Sequence, residues 1–331
     1  EITEVFAHPP ERVVAIWQND VETIIALGAG DTLVAAVGVP YVECLLPEYR
    51  EAYEKIPLRQ MVMPSVEEIL MLKPDLIIGW YSTFSDRVTK STAFWHERGI
   101  RTYMPASSMG RKGGNTIEGE CAYVRDLGCV FNREERAEEL KQFYTKHVTK
   151  VIDRVNKINK PKPTVYIEVG MQGPEAFGYA FNSNYSWGSL ATQCGGDIIT
   201  KDVVKNAGPI NPEFVLEKDP DIIMIMGSYW PKKPTSMRLG FEANETDSQK
   251  LLKAFTDREG WDKLKAVKNK QIYSAHHGLP REVYDCVVFE YLAKTYYPEE
   301  FVDVDPEGTL KEFYEKFLPF SYGGTWFMHL N

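Results

Sequence analysis

Two α/β lobes with parallel sheets, joined by one long α-helix and holding a ligand cleft between them, are the fold that this sequence predicts. Three observations carry the expectation. A helix-then-strand pattern occurs twice, 146 residues apart. Short apolar runs without polar alternation alternate with helical patterns on both sides of the middle of the chain. One amphipathic stripe, too long for an ordinary lobe helix, separates the two halves.

The repeat is the most informative of the three. Residues 67–75 read Glu67-x-x-Leu70-x-x-x-Pro74-Asp75 and run into Leu76-Ile77-Ile78-Gly79-Trp80-Tyr81. Residues 213–221 read Glu213-x-x-Leu216-x-x-x-Pro220-Asp221 and run into Ile222-Ile223-Met224-Ile225-Met226-Gly227-Ser228-Tyr229-Trp230. Each copy predicts a short helix, a Pro-Asp stop, a buried strand and an aromatic loop. Pro cannot continue a helix, and an unbroken apolar run suits a strand covered on both faces. Both helices carry start signals: Ser65 with Glu68 three residues on is a capping box, and Asn211 before Pro212 sets a cap residue ahead of Pro at the first helical position.

Around the first copy the chain reads as strand Arg12–Ile16, helix Asp20–Leu27 ended by Gly28, strand Leu33–Val39, strand Leu76–Gly79, helix Ser85–Arg98 stopped by Gly99, and strand Arg101–Tyr103. Around the second it reads as strands Thr164–Val169, Ile222–Met226 and Gln271–Ser274, with helices Trp187–Cys194 and Arg281–Tyr297. Strands alternating with helices imply parallel sheets flanked by helices. Asn132 with Glu135 gives another cap signature. After it, Ala137, Leu140, Tyr144, Val148, Val151, Val155 and Ile158 recur every three or four residues, which predicts one helix of about 27 residues, roughly 40 Å long. Lys160-Pro161-Lys162-Pro163 ends it. The expected organisation is an N-terminal lobe over 1–131, a linking helix over 132–160, and a C-terminal lobe with a helical tail over 161–331.

Composition narrows the function. The chain has 331 residues, 44% hydrophobic and 26% charged, with a formal net charge of −9. That is globular composition, and the acidic balance disfavours a nucleic-acid binder or a membrane-surface protein. No apolar run approaches the roughly 18 residues of a membrane span. The opening EITEVFAHPPER lacks a charged start and apolar core, so no signal peptide is read in it, and a start at Glu1 fits processing. Five Cys, at 44, 121, 129, 194 and 286, match no zinc spacing. Cys121 and Cys129 pair or stay as thiols; the spacing leaves both open.

Leu27-Gly28-Ala29-Gly30 follows a helix and lacks the third glycine of a dinucleotide fingerprint, so it reads as a helix end. Gly110-Arg111-Lys112-Gly113-Gly114 has no Gly-Lys-Ser/Thr order and reads as a loop. Neither a G-x-S-x-G elbow nor an H-E-x-x-H motif occurs. With no nucleophile, metal set or phosphate loop, the expectation is a binding protein without intrinsic cofactor. A two-domain α/β enzyme with its site between the lobes is the competing class.

In order and spacing the chain resembles the helix-linked, class III solute-binding proteins of ABC importers, whose members carry ferric siderophores, haem or cobalamin. The resemblance rests on Arg12-Val13-Val14 leading to Glu22–Gly28, on Pro64-Ser65-Val66-Glu67-Glu68-Ile69, on Leu72-Lys73-Pro74-Asp75-Leu76-Ile77-Ile78, on the spanning helix, and on Pro220-Asp221-Ile222-Ile223, Trp261-Leu264-Val267-Lys268 and Gln271-Ile272-Tyr273. It implies a monomer at the periplasmic or extracellular face of the membrane, either free or lipid-anchored, that hands a small metal chelate to the membrane subunits of an importer. It also implies that Glu67 and Glu213, one per lobe, dock on arginines of those subunits. The tail Gly323–His329 has no counterpart in this pattern.

The ligand is expected where parallel strands end. Trp17 follows the first strand, Trp80 and Tyr81 follow the first repeat's strand, and Tyr229 and Trp230 follow the second's. Phe181, Tyr185 and Trp187 lie beyond Thr164–Val169. Aromatic walls suit a large, conjugated cargo. His276-His277 follows Gln271–Ser274; consecutive residues point apart, so at most one is expected to face the ligand, as a hydrogen-bond donor or as a ligand to iron or cobalt. Arg87, Arg111, Lys112, Lys232, Lys233, Arg238 and Arg281 share these loops. Arg111 and Arg238 are singled out as forks for an anionic edge. A ferric siderophore is the first expectation for the cargo, haem or cobalamin the second, and a bare oxyanion such as molybdate the third.

Overall fold

The computed structural model describes residues 5–39, 47–105, 117–177, 179–230, 232–241 and 243–331. The chain divides into two units, Glu1–Thr145 with Glu312–Ser321, and Lys146–Lys311 with Tyr322–Asn331.

In chain order the first unit contains β1 (Val13–Ile16), α1 (Gln18–Ala26), β2 (Leu33–Val37), α2 (Pro47–Glu54), β3 (Leu58–Gln60), α3 (Val66–Met71), β4 (Leu76–Ile78), α4 (Thr92–His96), β5 (Arg101–Tyr103) and α5 (Ile117–Val130). The strands form one parallel sheet in the order β3-β2-β1-β4-β5. β1, β2 and β4 are buried along their whole length, as their unbroken apolar runs require. Helix α6 (Glu134–Val155) runs through the division between the units. It has 22 residues, shorter than its apolar stripe suggests. Asn132 is not its cap but lies in the preceding turn at φ 51, and turns follow Val155.

The second unit continues with β6 (Thr164–Val169), β7 (Ala180–Phe181), α7 (Trp187–Gln193), β8 (Asp197–Ile198), β9 (Ala207–Gly208), α8 (Pro212–Lys218), β10 (Ile222–Met226), α9 (Glu245–Thr256), α10 (Lys265–Lys268), β11 (Ile272–Ala275), α11 (Cys286–Tyr296) and β12 (Phe327–His329); before β12, α12 (Pro306–Phe317) begins in the second unit and from Glu312 belongs to the first. Its sheet order is β12-β11-β10-β6-β7-β9, with β8 also on β6. The centre is parallel, but β7, β9 and β12 join antiparallel, so this sheet is mixed where the sequence predicts a parallel one. Short edge pieces of two or three residues carry too little pattern to be read as strands beforehand.

The repeated motif has a structural reason. In both copies the residue before Pro, Lys73 or Asp219, adopts a left-handed conformation, at φ 47 and φ 41, and turns the chain out of α3 or α8. The Asp after Pro then anchors the start of the neighbouring strand. Asp75 accepts hydrogen bonds from the amides of Glu11 (2.7 Å) and Arg12, just before β1. Asp221 accepts them from the amide and hydroxyl of Thr164 (both 2.7 Å), at the start of β6. One carboxylate per unit thus sets the register of two adjacent parallel strands. The capping box at Ser65 and Glu68 and the Asn211 cap both form.

One more expectation is corrected, and the alternative left open for two cysteines is resolved. The helix over Ser85–Arg98 is confined to Thr92–His96; Lys90 at φ 76 and the preceding turns break the stretch before it. Cys121 and Cys129 do not pair. Both are free thiols on α5, and eight residues of helix separate Cα atoms by about 12 Å, beyond the roughly 7 Å that a disulfide spans.

Candidate functional site

In the second unit the ends of β6, β10 and β11 enclose a pocket of about 360 Å³. Val169 ends β6, and the turn after it supplies Met171 and Gln172. Trp230 comes from the loop after β10, and His277 and Arg281 from the segment after β11. Phe181 and Ala207 come from the antiparallel pieces β7 and β9, with Tyr179, Tyr185 and Asn206 beside them. The pocket therefore sits at the carboxyl edge of the parallel strands, where helix–strand connectivity leaves room for a ligand. The rings of Phe181 and Trp230 lie 6.1 and 6.4 Å from that of His277.

Arg281 is the one charged side chain among the described lining residues. Its Nη2 lies 3.5 Å from His277 Nε2. A guanidinium only donates, so Nε2 is the acceptor and the imidazole proton rests on Nδ1. Burial first, then the Arg281 charge, holds His277 well below the ordinary histidine range, so it is neutral at pH 7. Its Nδ1 is buried without a hydrogen-bond partner among the described residues. Three bonds fix the backbone here: the His276 amide donates to the Trp326 carbonyl (2.9 Å), the His277 amide donates to the Gly227 carbonyl (2.6 Å), and Trp187 Nε1 donates to the His277 carbonyl (3.1 Å).

The expected residues separate into two groups. Tyr185, Trp230 and His277 line the pocket. Trp187 does not face it: its side chain is fully buried and serves the His277 carbonyl from behind. His276 is likewise turned away, with Nε2 3.3 Å from Ser228 Oγ and its ring edge-on to Trp326 at 5.0 Å. Arg238 stacks on Tyr229, 5.4 Å from the ring centroid, and neither is among the pocket's lining residues. Arg111 lies outside the described residues. Arg281, named only among the basic loop residues, lines the pocket where Arg238 was expected. Gln172 and Asn206 had no signal in the sequence.

The first unit has its own aromatic edge. Because β1 and β4 pair in register, Trp17 and Trp80 emerge side by side and stack at 4.9 Å. Both indole N–H groups point inward, Trp17 to Thr83 Oγ1 (3.1 Å) and Trp80 to Asn19 Oδ1 (2.9 Å). Asn19 and Tyr123 in turn donate to Asp20 Oδ1. Asp20 is fully buried, and burial raises its pKa well above the ordinary carboxylate range. Tyr81 is 63% exposed at this edge. A larger cavity of about 590 Å³ also lies in this unit, beside Gly28 and Gly30 at the start of β2, away from the carboxyl edge. Its Arg136 is committed to the Ala26 and Lys316 carbonyls and to Glu139. The chemistry favours the smaller pocket.

Glu67 and Glu213 are exposed in the first turns of α3 and α8. Among the described residues neither carboxylate has a salt-bridge partner. Leu70 and Leu216, one turn on, are exposed large hydrophobics on the same helix faces.

The buried imidazoles make a pH prediction. Burial chiefly lowers His276 to about 4, from an ordinary 6.5. The folded state therefore refuses a proton that the unfolded chain accepts below about pH 6.5, so stability is full above that pH and declines as pH falls towards about 4. Urea unfolding at pH 7 and pH 5 should show the decline, and His276→Asn should make it shallower, with the buried His277 supplying the remainder. An equal slope in that variant would assign the loss to other groups.

Residues 13–278 match a protein family described as periplasmic binding protein. Among solved structures, the TroA-like periplasmic binding protein FepB from Veillonella parvula is 51% identical, with 99% of this chain and 97% of that chain covered and a TM-score of 0.85. The high-affinity heme uptake system protein IsdE of Staphylococcus aureus (strain MRSA252) is 26% identical over 238 residues, 72% of this chain and 71% of its own. An ABC-type Fe3+-hydroxamate transport system structure from Saccharomonospora viridis, 22% identical with a TM-score of 0.66 over 88% of this chain and 95% of that one, shares the fold.

Proposed function

The chain belongs to the periplasmic binding protein family, and on that premise we propose that it captures an anionic, coordinatively complete iron chelate of the siderophore kind outside the cytoplasm and passes it to an ABC importer. The observation that carries this reading is the pairing of Arg281 with a neutral His277 in an aromatic pocket. The guanidinium offers a fixed charge for a hydroxamate, catecholate or carboxylate edge. The rings of Phe181, Tyr185 and Trp230 offer faces to the organic part. Among the described residues no helix is long and apolar enough to cross a membrane.

Haem or cobalamin is the second reading, favoured by the likeness to a protein named for heme uptake. It needs an imidazole lone pair aimed at the metal. His277 meets this poorly, because its Nε2 faces a cation and its Nδ1 carries the proton. Titration with a ferric trihydroxamate, a ferric tricatecholate and haem, followed by tryptophan quenching and visible absorption, separates the readings. Tight binding of one ferric chelate with its spectrum unchanged is expected. Preferential haem binding with a histidine-ligated spectrum would overturn the first reading in favour of the second.

Delivery is assigned to Glu67 and Glu213. Helix-dipole pairing accounts for an acid in a first turn, at about 0.3–1 kcal/mol, but not for the same exposed acid and the same exposed Leu three residues on in both copies. Cationic surfaces of the importer's membrane subunits are the partners that fit. Glu67→Ala with Glu213→Ala should leave chelate affinity within about threefold and reduce uptake through the cognate importer at least tenfold. Normal uptake by the double variant would return both residues to the dipole role.

A further inference from the structure

The C-terminal segment Gly323–His329, which the family pattern does not account for, is built into the pocket's support. β12 pairs antiparallel with β11, placing Phe327 opposite Ala275 and Met328 opposite Ser274. Tyr291 ties the two strands together by donating to the carbonyls of both Ser274 and Met328. One residue beyond β11, the Trp326 carbonyl holds the His276 amide. The Trp326 side chain is almost fully buried, donates Nε1 to the Gly323 carbonyl (2.8 Å), and packs edge-on against both His276 and Phe241 at 5.0 Å.

The same segment grips a second loop. Gly240 and Thr325 exchange both backbone hydrogen bonds, at 2.7 and 3.1 Å. That closeness needs glycine at 324: its φ is +81, and a Cβ there would sit 2.1 Å from the Gly240 carbonyl oxygen. The gripped loop reaches back to the pocket, since the Met237 carbonyl accepts from Ser228 and the Met237 amide donates to the Gly170 carbonyl, next to pocket residues Trp230 and Met171.

His276 is bridged to Gly227 just past β11 and His277 opens the turn after it; their rings face different neighbours, His276 towards Ser228 and Trp326 and His277 towards Phe181 and Trp230, so whatever claims the His276 ring fixes which way the His277 ring points. We infer that Gly323–His329 is a positioning element of the cargo pocket, in which Trp326 captures His276 and thereby presents His277 to the ligand. Trp326 touches no ligand and acts through the backbone of 276–277. The inference rests on the pocket reading above for its consequence, but not for its geometry.

Two measurements test it. The first needs no cargo: amide hydrogen exchange of Gly324→Ala should accelerate at least tenfold at His276 and His277, while Tyr166–Val169 on β6 keep their protection. The second uses whichever ferric chelate of the panel above the wild-type protein binds. Gly324→Ala should weaken binding at least tenfold, and in a His277→Ala background the same change should have little further effect. Trp326→Ala should reproduce both results and Trp326→Phe should largely restore them, which covers the case in which Gly324→Ala does not fold. Unchanged exchange, exchange raised uniformly over the second unit, or an affinity loss that persists undiminished without His277 would each overturn the inference. If the wild-type protein binds no chelate in the panel, the cargo reading fails and the exchange result alone decides the role of the tail.

Discussion

Arg258→Ala should destabilise the second unit by about 3–5 kcal/mol, the usual consequence of stripping one partner from a buried ion pair. Glu168 lies on β6 with no solvent exposure, and Arg258 is 8% exposed. The two meet in a fork, Nη2 to Oε1 at 2.7 Å and Nη1 to Oε2 at 3.0 Å. Tyr166, two residues before Glu168 and so on the same face of the strand, donates its hydroxyl to Oε2. The rest of the guanidinium is used as well. Nε donates to the Pro174 carbonyl and Nη2 to the Ala176 carbonyl, both at 2.9 Å, and the plane stacks on Phe177 at 4.3 Å. Removing it leaves a carboxylate in the core and frees the loop that follows Met171 and Gln172. Arg258→Lys keeps the charge but not the fork, and should recover less than half of the loss. Replacing both partners by apolar residues of similar size, Arg258→Met with Glu168→Leu, should recover most of it, because the dominant cost is the unpaired charge. Urea unfolding followed by a second-unit tryptophan such as Trp261 measures all three. A loss below about 1 kcal/mol for Arg258→Ala would mean that water reaches Glu168.

How much of this could be read beforehand depends on how local each interaction is. The Glu-x-x-Leu-x-x-x-Pro-Asp repeat was legible because each residue acts within one helix–strand connection or on the adjacent strand. For the same reason Thr164–Val169, Ile222–Met226 and Arg101–Tyr103 form strands with the bounds expected of them. The Glu168–Arg258 pair is 90 residues apart in sequence, and neither residue has a local pattern that names the other. The aromatics show the same limit. Trp187 and Trp230 both follow strands, yet one is core and the other lines the pocket, because burial of a loop side chain is decided by what packs over it. Arg238 and Arg281 differ likewise: one rests on Tyr229, while the short helical turn Leu279–Arg281 carries the other into the pocket. The alternation of His276 and His277 was readable from backbone geometry, but which of the two faces inward is settled by Trp326, fifty residues on.

Arg281→Ala should lower affinity for the ferric chelate by about 2–5 kcal/mol, roughly 30- to several thousand-fold, the range found when one member of a desolvated charge pair is truncated. The size follows from the surroundings. Among the described residues that line the pocket, no other charge faces the ligand, and His277 is kept neutral by burial and by Arg281 itself. A ligand carboxylate, hydroxamate or catecholate would then lose its fixed counter-charge in a site walled by Phe181, Tyr185 and Trp230, where little water is left to replace it. Arg281→Lys should fall between, since an ammonium supplies charge without a two-pronged donor set. The variant carries its own internal control. Removing the guanidinium removes the second cause of His277's depressed pKa, so the imidazole should titrate closer to its ordinary value and gain an accessible Nε2. The arginine variant should therefore gain affinity for haem relative to the ferric chelate, as a pocket freed of its cation can offer an imidazole to iron. Isothermal titration of wild-type protein, Arg281→Ala and Arg281→Lys with the chelate and with haem gives both numbers. An Arg281→Ala protein that binds the chelate within threefold of wild type would remove this guanidinium from cargo recognition and shift the anionic contact to another part of the molecule.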